Sequence, residues 1–345
     1  MNDNKAIVMA SVLGAAVLLL LVIILKPFSG FEREYPMAAV SGTAAAGLPG
    51  EKEGQGFSAH AGDKGTGSMA GSGSAVSGAS GAVTDPADVS VTGIPLVHAS
   101  GGTLETRIAV PEGFTRTEEK AGSLGVFLRE YKLKKDGAPV LLYNKEKKAN
   151  QQAHVAVFKL PLENEDLQQC ADSVMRVYAE YFRSVDKYSR IEFSLTDDFK
   201  ASYARWREGY RIAESGESYE WVDQAEFDGS DACFKKFMRI VFAYSGTYSL
   251  EMDSKKVKTE ALRIGDIFIN GGSPGHVVMV VDTATDPSGR KAFLLAQGFM
   301  PAQQFHVLKN PLHADDPWYY ADEITYPFET PEYTFDKECL RRPQY

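Results

Sequence analysis

The sequence predicts an α+β domain of about 250 residues, carried behind an apolar N-terminal segment and a linker rich in Gly, Ala and Ser. Three observations predict it. Residues 6–25 form a run of twenty without a charge. All three tryptophans, Trp206, Trp221 and Trp318, lie beyond residue 95. In that later part, two strong helical periodicities precede a series of apolar strands, the order of an α+β chain rather than an alternating one.

At about 1.5 Å per residue, a helix over 6–25 spans roughly 30 Å, the thickness of a bilayer core. Lys5 and Lys26 bracket it. A cleaved signal peptide has a shorter apolar core and a small-residue site. Here Lys26-Pro27-Phe28 follows at once, so residues 1–28 read as an uncleaved transmembrane anchor. With a very short tail in front, the body is expected outside the cytoplasm, in the periplasm or at the cell surface. Twelve of the 31 glycines lie between Gly42 and Gly81. Residues 29–95 therefore cannot bury enough apolar surface to offset chain entropy and read as a disordered tether, with His60 solvated inside it.

Over 96–345 the elements follow in order. Thr106–Val110 alternates up to Pro111 and reads as a short strand. Ser123–Tyr131 places Leu124, Phe127 and Leu128 on one helical face. Val140–Tyr143 and His154–Leu160 are rich in strand formers. Asp166 can cap a helix to about Val185, with Leu167, Cys170, Val174, Val177, Tyr178 and Tyr181 at helical spacing. Arg190–Leu195 reads as a strand and Phe199–Trp206 as a short helical piece. Ser230 or Asp231 can cap a second strong helix that ends at Ser245-Gly246, burying Phe234, Phe237, Ile240, Val241 and Tyr244. Ile264–Ile269, Val277–Val281 and Ala292–Gln297 are almost wholly apolar, as strands buried on both faces are. They are expected to be neighbours in one antiparallel sheet, packed on the 230–245 helix.

Charge and motif content narrow the function. The net charge of -9 argues against nonspecific nucleic-acid binding. Three cysteines, at 170, 233 and 339, exclude a dense disulfide framework and a four-cysteine zinc site. No histidine or acidic pair has metal-ligand spacing, and neither metal nor cofactor is expected. Asp266 reads as a turn residue, Asp282 as a strand end, and Lys145-Glu146-Lys147-Lys148 as a solvated turn. His154 and His306 could line a polar cleft.

The most informative stretch is Leu262–Asp282, LRIGDIFINGGSPGHVVMVVD. A Gly265-Asp266 turn opens an apolar strand, a Gly/Pro loop returns, and Gly275-His276-Val277 opens a second. With the helix upstream, this succession resembles the NlpC-like, papain-fold cysteine amidohydrolases over residues 227–297. The resemblance implies a papain-like core with N-terminal elaborations. It also implies a nucleophilic cysteine at a helix N-terminus, a histidine base at a strand start and a polar residue on the next strand that orients it. Carried over, these are Cys233, His276 and Gln297. Counting back from Gly246 reaches Cys233. The literal match of Phe227-Asp228-Gly229-Ser230-Asp231 puts Gly229 at the nucleophile position and makes the site inactive. Cys170 lies on an apolar helix face and reads as core.

Over its whole folded length the chain also resembles a bacterial family known as a domain of unknown function, DUF 4846. Pro111-Glu112-Gly113-Phe114, the run from Asp136 to Tyr143, the run from Asp166 to Asp172, and the run from Gly271 to His276 carry this. It implies a bacterial cell-envelope protein and no particular activity. Cys170 falls inside these blocks and Cys233 does not. The expectation is a membrane-tethered, extracytoplasmic papain-fold hydrolase of amide bonds, with cell-wall peptide as substrate class. The alternative is an inactive module of the same fold that binds peptidoglycan or a protein partner.

Overall fold

The computed structural model describes residues 95–215 and 218–345. The expected anchor and nearly all of the expected linker lie outside them. Among the described residues no helix is long and apolar enough to cross a membrane.

Along the chain, α1 (Leu104–Arg107), β1 (Thr115–Arg116), α2 (Leu124–Arg129) and β2 (His154–Val157) precede the long helix α3 (Cys170–Ser184). A hairpin of β3 (Glu192–Ser194) and β4 (Lys200–Ser202), the short helix α4 (Tyr203–Arg207) and a hairpin of β5 (Tyr210–Ser215) and β6 (Ser218–Asp223) follow. Next come α5 (Asp231–Tyr244), α6 (Thr247–Met252), β7 (Ser254–Lys256), β8 (Ile267–Asn270), β9 (His276–Thr285) and β10 (Lys291–Gln297). The chain closes with β11 (His306–Leu308), β12 (Tyr319–Tyr320), β13 (Phe328–Glu329), β14 (Thr334–Phe335) and β15 (Leu340–Pro343).

One antiparallel sheet runs in the order β2-β11-β10-β9-β8-β15-β7, with β1 added on β9 and β12 on β10. The domain is mixed α+β, and the three apolar runs are neighbours, as expected. Both faces of these strands are covered. Val277, Met279 and Val281 of β9, with Ala292, Leu294 and Ala296 of β10, enter the core shared with α3. Val278, Val280, Phe293 and Leu295 enter a second core with Phe328, Phe335 and Leu340. The period-two split explains why the runs read as continuous apolar stretches rather than alternating ones.

Several expectations are corrected. The helix on the sheet is α3, which packs on β9 and β10, whereas the 230–245 helix, α5, packs on α3 and α4. The reason is in their surfaces: α3 is buried around most of its circumference, while α5 keeps Asp231, Lys235 and Lys236 in water. Of the expected strand at 106–110, Thr106 and Arg107 are instead the end of α1, and Ile108 makes only a single bridge to Val97. The α1 N-cap Thr103 accepts the Thr106 N–H, and the Thr106 hydroxyl accepts the Thr103 N–H at 3.0 Å. Val140–Tyr143 forms only single bridges, Leu141 to Lys147 and Leu142 to Gln303. Gly246 has φ -175°, extended backbone, and serves as the N-cap of α6 rather than as a left-handed helix end.

Asp282 does not end a strand. It lies inside β9, where the β9–β10 register shifts between Leu294 and Leu295, and is fully buried. Arg116 Nε and Arg129 Nε donate to its two oxygens at 2.7 and 2.8 Å. Asp266 is likewise more than a turn residue. Buried, it accepts the Arg263 N–H and two bonds from the Arg342 guanidinium, at 2.6 and 2.9 Å, which tie β15 to the start of β8.

Candidate active site at the ends of the central strands

β9 starts with His276 and β10 ends with Gln297. Because the two strands are antiparallel neighbours, both residues fall at one end of the sheet. His276 Nε2 donates to Gln297 Oε1 at 2.8 Å, and both side chains are buried. Rings of Phe299, Tyr333 and Phe335 pack on the imidazole, with centroids 4.6, 4.8 and 6.0 Å away. Burial pushes the His276 pKa down to about 4, against the upward pull of the Gln297 bond. The imidazole is therefore neutral at neutral pH.

Gln297 Nε2 donates in turn to Glu332 Oε2 at 2.8 Å. Glu332 stands at the tip of the β13–β14 hairpin, one residue before Tyr333, and forms an ion pair with Lys148. Lys148 Nζ also lies 3.4 Å from His306 Nε2. His306 Nδ1 donates to the Gln304 carbonyl at 2.8 Å, which leaves Nε2 as the acceptor for the ammonium. Burial lowers the pKa of Lys148 while Glu332 raises it. Burial raises the Glu332 carboxyl, but the neighbouring His306 and Lys148 outweigh it and hold Glu332 below the usual carboxylate range. The result is a continuous polar chain, His276–Gln297–Glu332–Lys148–His306, inside the protein. His154 stands beside it, its ring 5.9 Å from that of His306, with Nε2 on the Ala138 carbonyl.

Lys148 is a correction: read as part of a solvated turn, it is 6% exposed and paired. Sequence reading missed Glu332 entirely.

The thiols fall in different places. Cys233 occupies the first turn of α5, and Ser230 Oγ accepts its N–H as expected of the cap. Its sulfur is buried, and the groups that act on it are Asp228, Arg211, Trp206 and Lys236. Burial, then Asp228, pushes its pKa up. Cys170 is the first residue of α3, the helix that lies on the sheet. Burial pushes this thiol up to about 12, although the N–H groups of Ala171 and Val277 point at the sulfur and pull the other way. Val277 is the residue after His276. On the neighbouring strand, a Cβ at Gly298 would come within 2.9 Å of the Gln169 carbonyl and closer still to Ser173 Oγ. The start of α3 thus rests on Val277 and Gly298, while the side chains of His276 and Gln297 turn to the opposite face, toward Glu332 and Tyr333. His276 and Gln297 are brought together. Cys170, not Cys233, is the thiol that borders the start of β9, across one peptide unit from the imidazole.

Cys339 is the third free thiol, buried beside Tyr326 and also pushed up to about 12 by burial. Among the described residues no group of three or more His, Cys, Asp or Glu could hold a metal ion.

Fold and site together define a mixed α+β domain with a buried polar chain at one sheet end, bordered by a helix N-terminus that carries a cysteine. The chain belongs to the family described as a domain of unknown function (4846), whose family model matches residues 104–342. No curated protein and no solved structure matches the chain.

Proposed function

We propose that the folded domain is a papain-like cysteine hydrolase of amide bonds, with Cys170 as nucleophile, His276 as base and Gln297 as the residue that orients it. One observation carries this reading. The hydrogen bond from His276 Nε2 to Gln297 Oε1 lies at the strand ends that border the N-terminus of the Cys170 helix. A helix N-terminus stabilises a thiolate, and a histidine fixed through Nε2 keeps Nδ1 as a base. For the reaction the imidazole, which this structure turns to the other face of β9, must first swing to the Cys170 side; it then takes the thiol proton, the sulfur attacks the amide carbonyl, and the imidazolium protonates the leaving amine. Water then cleaves the thioester and restores the thiol. Cell-wall peptide is the substrate class that suits a domain held outside the cytoplasm by an anchor at 6–25 and the linker behind it.

The test is iodoacetamide labelling of the full chain, followed by mass spectrometry. The hydrolase reading requires Cys170 to react faster than Cys233 and Cys339 and His276→Ala to slow it, against the burial that holds its thiol up to about 12 in this structure. A cell-wall peptide should then be cleaved by the wild type and not by Cys170→Ala.

A second reading is favoured by a specific observation. The thiol and the imidazole are both neutral, both almost fully buried, and turned to opposite faces of the sheet. That state suits an inactive module that binds peptidoglycan or a protein partner. A Cys170 that labels no faster than the other two cysteines, and is indifferent to His276→Ala, would leave this reading standing alone.

A further inference from the structure

An ionised carboxylate accepts hydrogen bonds and donates none, whereas a primary amide has one donating and one accepting end. Glu332 is ion-paired with Lys148, so the end of Gln297 that faces it must be the NH₂. The other end of the same amide, the carbonyl oxygen, then faces His276. A ring nitrogen next to a carbonyl oxygen must carry a proton. The polarity of each group therefore follows from that of the one before it, starting at the ion pair.

We propose that Glu332, paired with Lys148, is a positioning residue that sets the amide orientation of Gln297 and through it the Nε2–H tautomer of His276, leaving Nδ1 as the basic nitrogen. The role assigned to that nitrogen rests on the reading of His276 as the base. The tautomer itself does not depend on any reaction. His306 and His154 stand around Lys148 but leave the argument unchanged, because the Nε2 of His306 accepts from the ammonium and His154 bonds to a backbone carbonyl.

The experiment uses the full chain labelled with ¹⁵N in its histidine rings, with the His276 signals assigned by their loss in His276→Asn. In the wild type at neutral pH, Nε2 should appear protonated and Nδ1 unprotonated. In the Lys148→Met/Glu332→Leu double variant the pair is replaced by apolar groups, an exchange that buried ion pairs often tolerate. Gln297 is then free to turn over, and both tautomers should be populated. Glu332→Gln keeps an acceptor oxygen that Lys148 can hold, and should restore the single wild-type tautomer. An Nδ1–H tautomer in the wild type overturns the proposal whether or not any variant folds. So does a double variant, folded by circular dichroism, that keeps the Nε2–H form alone. An inert Cys170 together with the expected tautomers would sink the hydrolase reading and leave this one intact.

Discussion

Gly298 follows Gln297 at the end of β10 and faces Ser173 in α3, where an added Cβ would collide with the Ser173 hydroxyl and lie 2.9 Å from the Gln169 carbonyl. The contact holds the Cys170 helix against the strand that ends in Gln297. Gly298→Ala should force the two apart, at a cost of about 1–3 kcal/mol by analogy with overpacked cores. Urea unfolding measures the loss. A variant as stable as the wild type would mean that the helix start yields at no cost.

Asp282 is the sole carboxylate between Arg116 Nε and Arg129 Nε in the contacts described above. Removing it leaves two guanidinium groups short of an acceptor at a buried position. Asp282→Ala should cost about 3–5 kcal/mol, the range for breaking a buried pair from one side. Replacing Arg116 alone, the more exposed partner, should cost less. Equal losses would contradict the structure.

His276 predicts a pH dependence. Its folded pKa of about 4 lies below its ordinary value of 6.5, so between these the unfolded chain binds the extra proton and the folded one does not. Stability then rises with pH. The contribution is fully present above about pH 6.5 and is lost as pH falls toward 4, a total of about 3 kcal/mol from the width of that window. Burial also lowers His306 and His154, which act in the same direction, so the difference between wild type and His276→Gln isolates the one residue. If both proteins lose stability in parallel between pH 7 and 4, the burial argument is wrong.

Tyr333 covers the imidazole. Tyr333→Ala should admit water to His276 and raise its pKa from about 4 toward 6.5, read by NMR titration of the ring protons. An unchanged pKa would assign the depression to Phe299 and the sheet.

Much of this architecture was legible before any coordinates. β8, β9 and β10 stood out because burial on both faces removes polar residues from the pattern. The choice of Ser230 or Asp231 as cap located the start of α5 to within a residue, and Ser230 proved to be the cap. His276 and Gln297 came from the resemblance to papain-fold amidohydrolases, helped by the position of His276 at the mouth of an apolar strand. The packing partner of the sheet was not, since periodicity tells which face of a helix is apolar but not what covers it. That ambiguity favoured Cys233, reached by counting back from Gly246, over Cys170, whose helix is the one that lies on the sheet. Lys148 and Glu332 were beyond reach for another reason. They lie 184 positions apart in segments without periodicity, and nothing local to either distinguishes a buried pair from two solvated charges.

The irregularity in β9 has its own consequence. On one side of it Asp282 pairs with Leu294, and on the other Val280 pairs with Leu295, so Val281 is an extra residue. It acts as a phase correction between two ends of one ladder, an arginine-clamped end and the end that carries His276 and Gln297. Without it, Gln297 would stand opposite Met279, whose side chain belongs to the α3 core. Gln297 would keep its face, which β10 sets, while His276 would turn with the other even-numbered β9 residues toward the α3 core and lose its partner. A single residue, contributing no polar atom to the His276–Gln297 pair, decides on which side of the sheet His276 lies.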